Sequence, residues 1–211
     1  MKEDVTTLIV ANELCCGCGI CAGICPRRCL KMKYSQGNYR PERIDECFSA
    51  CPSICLKVCP FADHEDTLDL LTKEAFARFG NTFHDLLGWY AASFVGYSIS
   101  DMQRERGASG GMVTWLLEEL LKRGEINRAV CVRKSEGKAY FFEVAILSDI
   151  SEVRNAASSR YYPVEYSEVI RLIMQGSPEL RYAVVGVACA VNAFRRLILT
   201  NGRVRKRIPY L

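Results

Sequence analysis

The stretch Cys15–Pro26, CCGCGICAGICP, limits what this chain can fold into more than any other: five cysteines fall within eleven residues and the run closes on proline. Ten of the twelve cysteines lie between Cys15 and Cys59, and only Cys131 and Cys189 lie beyond. A disulfide scaffold needs an oxidising compartment. The opening MKEDVTTLIV carries acids where a leader would be basic, and no long apolar stretch follows it. The expectation is therefore a cytoplasmic chain with reduced thiols, built as a metal-bearing head on a cysteine-poor body. Its 211 residues allow one large domain or two small ones.

Cys15, Cys18, Cys21 and Cys25, followed by Pro26, keep the C-x2-C-x2-C-x3-C-P spacing of bacterial ferredoxins. A tight loop lets three thiolates reach three irons of one cubane, and Gly17, Gly19 and Gly23 let the backbone bend close to the sulfides. Zinc is the alternative, but it favours paired CxxC knuckles. The second set, Cys47, Cys51, Cys55 and Cys59-Pro60, ends in the same way after irregular gaps. It reads as a second cubane, or else as a zinc or free-thiol loop. Interlocked as in two-cluster ferredoxins, Cys15, Cys18, Cys21 and Cys59 hold one 4Fe-4S cluster, and Cys25, Cys47, Cys51 and Cys55 the other. Cys16 and Cys29 are left over. Between the sets, residues 30–45 read as a hairpin turning at Gln36–Asn38.

After Cys59 the pattern changes. Residues 64–80 read as a helix and 92–97 as a strand entering the body. GASGGMVTWLLEELLKRG opens a helix on a glycine turn, with Met112, Trp115, Leu116 and Leu120 as its buried stripe. INRAVCVRK, KAYFFEVAIL and RYAVVGVA read as strands. EYSEVIRLIMQG and CAVNAFRRLIL read as helices, with a short one capped by Asp149 or Ser151. This alternation predicts an α/β layered domain with a largely parallel sheet. The expected organisation is a ferredoxin-like α+β dicluster head over 1–62, a helical connector over 63–90 and an α/β body over 91–211. His64 and His84 receive no role.

Ser109-Gly110-Gly111 at a helix start suits a phosphate, or serves only as a turn and cap. Gly186 to Cys189 lies where a buried strand meets a helix, the ligand-facing edge of an open α/β sheet. Cys189 there is also read as a buried small residue, as Cys131 is. Net charge is +4, too mild for nucleic acid as a main partner, and RVRKR reads as a solvated strand face. No run reaches the roughly 18 to 20 apolar residues of a membrane span.

Four segments in order, CCGCGICAGICP, GASGGMVTWLLEELLKRGEI, SSRYYPVEYSEV and YAVVGVACAVNAFRRL, resemble the coenzyme F-420 hydrogenase/dehydrogenase beta-subunit family. That resemblance implies an iron–sulfur flavoprotein. Electrons would move between clusters, FAD and a hydride acceptor such as a deazaflavin, with a redox partner protein or reduced ferredoxin as the other party. It implies that Ser109, Gly110, Gly111 and Thr114 lie on the flavin, that Ser159, Arg160 and Tyr161 make a second contact, and that Gly186 and Cys189 sit near flavin or substrate. The family's GxPCQ turn is GVACA here, with Ala188 and Ala190 in place of proline and glutamine.

The expected function is an oxidoreductase with no acid or base assignable from sequence. The rivals are a non-catalytic ferredoxin-type adaptor and a zinc-bound interaction module. GRVRKRIPYL reads as the opening of a strand. With the resemblance, this predicts part of a longer protein, incomplete at the C-terminus, that keeps its clusters and holds flavin loosely.

Overall fold

The computed structural model describes residues 3–48, 50–64, 72–73, 82–136 and 140–211. Asp4 is buried, and its carboxylate accepts from the Thr6 amide at 2.8 Å and the Thr6 hydroxyl at 2.5 Å. Arg43 donates to the same carboxylate at 2.5 and 2.9 Å. This clamp fixes a π-helical turn, Thr6–Val10, against a hairpin of β1 (Leu30–Ser35) and β2 (Asn38–Arg43). The hairpin turns as expected. Gln36 and Gly37 both take positive φ, 53° and 80°, matching the twist of a two-residue hairpin turn. The cysteine loop leads into α1 (Ile20–Ile24), and α2 (Ile54–Lys57) follows the hairpin.

A second hairpin, β3 (Thr82–His84) and β4 (Gly88–Tyr90), precedes the body. The body runs α3 (Asp101–Arg106), α4 (Met112–Lys122), β5 (Arg128–Lys134), β6 (Phe142–Leu147), α5 (Ile150–Asn155), α6 (Ser167–Gln175), β7 (Tyr182–Val184), α7 (Ala188–Thr200) and α8 (Gly202–Arg207). Its sheet has the order β6-β5-β7. β5 pairs with β6 antiparallel and with β7 parallel, so the sheet is mixed rather than largely parallel. The cause is local: β5 and β6 are consecutive with no crossover helix between them, and parallel pairing needs one.

One apolar core joins head and body. Val5, Ile9, Ile20, Ala22 and Val58 pack with Val130, Tyr166, Ile170, Phe194 and Leu197. A second cluster, with Leu117, Leu120, Ile126, Leu147 and Val153, lies under α4. The contact of α1 with α6 depends on Gly23, where a Cβ would stand 2.7 Å from the Ile170 Cβ and the Ser167 carbonyl oxygen. Gly23 therefore serves helix packing.

Of three local expectations, two change. The helix read over 64–80 falls mostly outside the described residues. The segment read as a strand over 92–97 pairs with no strand among the described residues, and Phe94 is 90% exposed. Its apolar residues find no strand beside them among the described residues, and strand propensity is expressed through such neighbours. The buried stripe of α4 is Thr114, Leu117, Glu118 and Leu120, while Met112, Trp115 and Leu116 are exposed. The helix turns a carboxylate inward because Arg154 donates to both Glu118 oxygens, at 3.1 and 2.7 Å.

The basic tail is helix, not strand. Asn201 Oδ1 accepts from the Arg203 and Val204 amides at 3.1 and 3.3 Å, an N-cap that starts α8. Buried Arg207 then donates to the carbonyls of Ile173 and Met174 at the end of α6. Tyr210 bridges to Ala183, and its carbonyl accepts from the Val184 amide at 3.1 Å, extending the edge of β7.

Candidate cofactor site

The cysteine loop closes around a small apolar cavity lined by Cys15, Cys16, Cys18, Cys21 and Cys59 together with Val5, Ile9 and Val58. Burial pushes the Cys21 thiol far above its ordinary value, and the neighbouring Cys59, Cys15 and Cys55 push it further. Burial likewise raises Cys59, with repulsion from Cys15 and Cys16. Thiolates crowded this way need positive charge among them. Among the described residues, no three Cys, His, Asp or Glu side chains converge as they would on a single metal ion. Soft sulfur donors around an apolar hollow suit an iron–sulfur cluster.

The second set gathers below. Burial raises Cys47, with Cys51 and Cys25 among its charged neighbours. Burial raises Cys55 to about 11, with Asp4 and Cys51 adding to it. Cys29 is buried, and its thiol donates to the Glu46 carbonyl at 3.4 Å.

A larger cleft of 440 Å³ opens between the cysteine loop and the body, within the roughly 300–1,000 Å³ range of small-molecule sites. Ser109, Thr114, Ser159, Arg160, Tyr161, Gly186 and Cys189 line it, so seven of the nine residues named for the flavin meet at one place. Gly110 and Gly111 do not line it. Gly111, at φ 74°, sits against the Gln103 carbonyl oxygen, and the Gly110 carbonyl accepts from the Ser98 amide at 2.8 Å. Their role is the left-handed turn that starts α4 and fastens it to the 96–103 segment.

The lining residues differ in what they offer. Thr114 is buried, whereas Tyr161 is 99% exposed at the rim. The Arg160 guanidinium donates to the Ala157 carbonyl at 2.9 Å and stacks 5.6 Å from the Phe142 ring centre. At the end of β7, Gly186 lies so close to Tyr166 that an added Cβ would stand 3.0 Å from its hydroxyl oxygen. Ala190 of the GVACA turn is buried.

Sequence reasoning misses Cys16 and Tyr166, and the second face that Cys18 presents. Cys16 and Cys18 line both the cysteine cavity and the cleft, so the two share a wall. Hydrogen bonding with Cys18 and Cys189 holds the Cys16 thiol below its ordinary value, while the bond to Cys16, and then burial, raise Cys18. Tyr166 also lines the cleft, and its hydroxyl donates to the Val185 carbonyl at 3.0 Å. No spacing marks Tyr166; the only hint is its place at the start of a predicted helix.

A cysteine-rich head sharing a wall with a cleft of the body describes a class by its architecture: a mixed α/β protein whose cysteine loop borders a cleft. Residues 93–171 match the family described as Coenzyme F420 hydrogenase/dehydrogenase, beta subunit N-term. That segment of the chain is similar to this family. It is similar to the Coenzyme F420-dependent sulfite reductase of Methanocaldococcus jannaschii, at 25% identity over 197 residues, covering 93% of this chain and 27% of that protein. It is also similar to one of the subunits of the F(420)H(2) dehydrogenase of Methanosarcina mazei, at 24% identity over 200 residues, covering 92% of this chain and 51% of that one. The chain thus spans only part of the length of either relative. A solved chain of the F420-reducing NiFe hydrogenase complex from Methanosarcina barkeri aligns over 53% of this chain and 39% of its own, with 19% identity and a TM-score of 0.45. No described helix is long and apolar enough to cross a membrane.

Proposed function

We propose that this chain is the iron–sulfur and flavin-binding part of an oxidoreductase that passes electrons between 4Fe-4S clusters, FAD and a hydride-accepting substrate of the deazaflavin class. The observation that carries the reading is the shared wall: Cys16 and Cys18 face the cysteine cavity on one side and the cleft on the other. When bound, clusters supply single-electron exchange and a flavin supplies conversion to two-electron hydride chemistry. Cys15, Cys18, Cys21 and Cys59 would hold one cluster, and Cys25, Cys47, Cys51 and Cys55 the second. The helix start at Ser109 would face the anionic end of the flavin, with Thr114 and Ser159 hydrogen-bonding along it. Val113, Val132 and Val187 give part of the cleft wall an apolar surface against which a flavin ring would lie.

The names of the relatives support the substrate class, since both name coenzyme F420 or its reduced form. A second reading, an adaptor that only docks a redox partner protein, is favoured by the exposed Leu86, Phe94, Val95 and Ile99. Anaerobic reconstitution with iron, sulfide and FAD, followed by flavin titration, tests the two. Saturable FAD binding that Thr114→Val weakens at least several-fold supports the first reading. Iron–sulfur absorption without FAD binding supports the adaptor. A colourless protein holding zinc defeats both.

A further inference from the structure

Helix α1 joins two different hollows of the molecule. It starts at Ile20, which lines the first cysteine cavity, and ends at Ile24, which lines a separate groove of 370 Å³. Cys25, Pro26 and Arg28 line that groove together with Pro52, Ile54 and Arg171. No residue lining it lines the cleft or the first cavity. The order through the molecule is therefore cleft, first cysteine set, α1, Cys25 and groove. Cys25 is half-buried there, at the end of α1.

The groove is basic. Among the described residues, two arginines and no Asp or Glu line it. Arg28 is exposed, and so is Arg27 beside it, 5.8 Å from the Phe48 ring centre. Arg171 is anchored. It donates to the Ala22 carbonyl at 3.5 Å and to Glu168 at 3.2 Å, and its buried Nε has no hydrogen-bond partner among the described residues. Glu168 offsets Arg171 in part. Asp45 and Glu46 are also exposed, but neither lines the groove.

We propose that this groove is an electron-transfer docking face, and that its occupant is a small acidic one-electron carrier protein whose carboxylates seat on Arg28 and Arg171. One-electron exchange makes and breaks no bond, so the carrier needs only close approach to Cys25. Complementary charge supplies that approach and its rate. The face has a role only with the second cluster in place, and so rests on the cluster set proposed above. It requires no flavin.

The test follows electrons leaving the anaerobically reconstituted, dithionite-reduced chain by stopped flow. The acceptors are oxidised rubredoxin, an acidic one-iron protein, and hexaammineruthenium, a small cation that gains nothing from a basic face. One electron leaves a reduced cluster and takes the acceptor metal from the trivalent to the divalent state. Arg28→Glu should slow rubredoxin reduction at least about tenfold and leave hexaammineruthenium no slower. Raising salt from about 0.05 M to about 0.5 M should slow rubredoxin reduction by the unmodified chain severalfold and by the variant less. Arg123→Glu makes the same charge change at an exposed position outside the groove and should have little effect. If Arg28→Glu loses iron, Arg28→Gln and the salt series decide. Rubredoxin reduction indifferent to Arg28 and to salt, or slowed equally by Arg123→Glu, overturns the docking face while the clusters stand. A chain that reduces neither acceptor overturns the cluster reading and the docking face with it.

Discussion

The Tyr166 amide donates a 2.9 Å hydrogen bond to the Cys18 carbonyl, so the start of α6 holds the cysteine loop directly. The same residue reaches the other way through its hydroxyl, 3.0 Å from the Val185 carbonyl oxygen. Its ring stands edge-on to Phe194 with centres 5.3 Å apart. Tyr166 therefore ties together the cysteine loop, the end of β7 and the core. Tyr166→Phe keeps the amide bond and the ring but strands one carbonyl. It should cost about 1 kcal/mol and leave iron in place. Tyr166→Ala should cost about 3–5 kcal/mol and lower iron retention. Urea midpoints and iron content of the two variants check this.

Gly23 predicts a contrast with Gly96. A Cβ at Gly23 meets Ile170 and Ser167 on the buried face of α6, whereas one at Gly96 meets nothing within 4 Å. Gly23→Ala should push α1 away, destabilise by about 1–3 kcal/mol and lower iron binding. Gly96→Ala should leave both unchanged. Thermal melting of the reconstituted variants is the check.

Acid should weaken the fold through two buried carboxylates. Burial alone would raise Glu118, but hydrogen bonds from Arg154 and Gln103 hold it below its ordinary 4.5. Burial likewise opposes Asp4, but Thr6 and Arg43 hold it below 3.8. A carboxyl depressed by folding contributes stability that is complete above its unfolded pKa and is lost as pH falls through the folded one. Stability should thus hold near neutral pH and fall below about pH 4.5. Glu118→Gln should be less stable at neutral pH and show a shallower acid limb. Urea midpoints across that range test the sign.

The face of α4 gives a packing prediction. Leu117 is buried in the second core cluster and Trp115 is 38% exposed. Leu117→Ala should cost about 2–5 kcal/mol, and Trp115→Ala clearly less.

What the sequence reveals depends on how local the signal is. The Gln36–Gly37 turn and the Asp149 cap are set by neighbours in the chain, and each stands where the sequence places it. In the second of these, Glu152 completes a capping box with Asp149. The face of α4 escapes a periodicity argument because burying Glu118 requires Arg154, 36 positions away. The tail escapes it because the basic alternation outweighs the Asn201 cap, a shorter but more specific signal. The shared wall at Cys16 and Cys18, and the part played by Tyr166, arise only when the loop folds onto α6. No spacing in the sequence carries that contact.

The central claim is that the thiols around the cysteine cavity hold an iron–sulfur cluster beside the cleft. Iron and sulfide content of the anaerobically reconstituted chain, measured with and without Cys59→Ser, tests it most directly. Cys59 lines the cysteine cavity and not the cleft. The account predicts about eight irons per unmodified chain, in two cubanes, and a loss of about half in Cys59→Ser with FAD affinity little changed. Full iron in Cys59→Ser, or a chain that binds zinc and no sulfide, would contradict it.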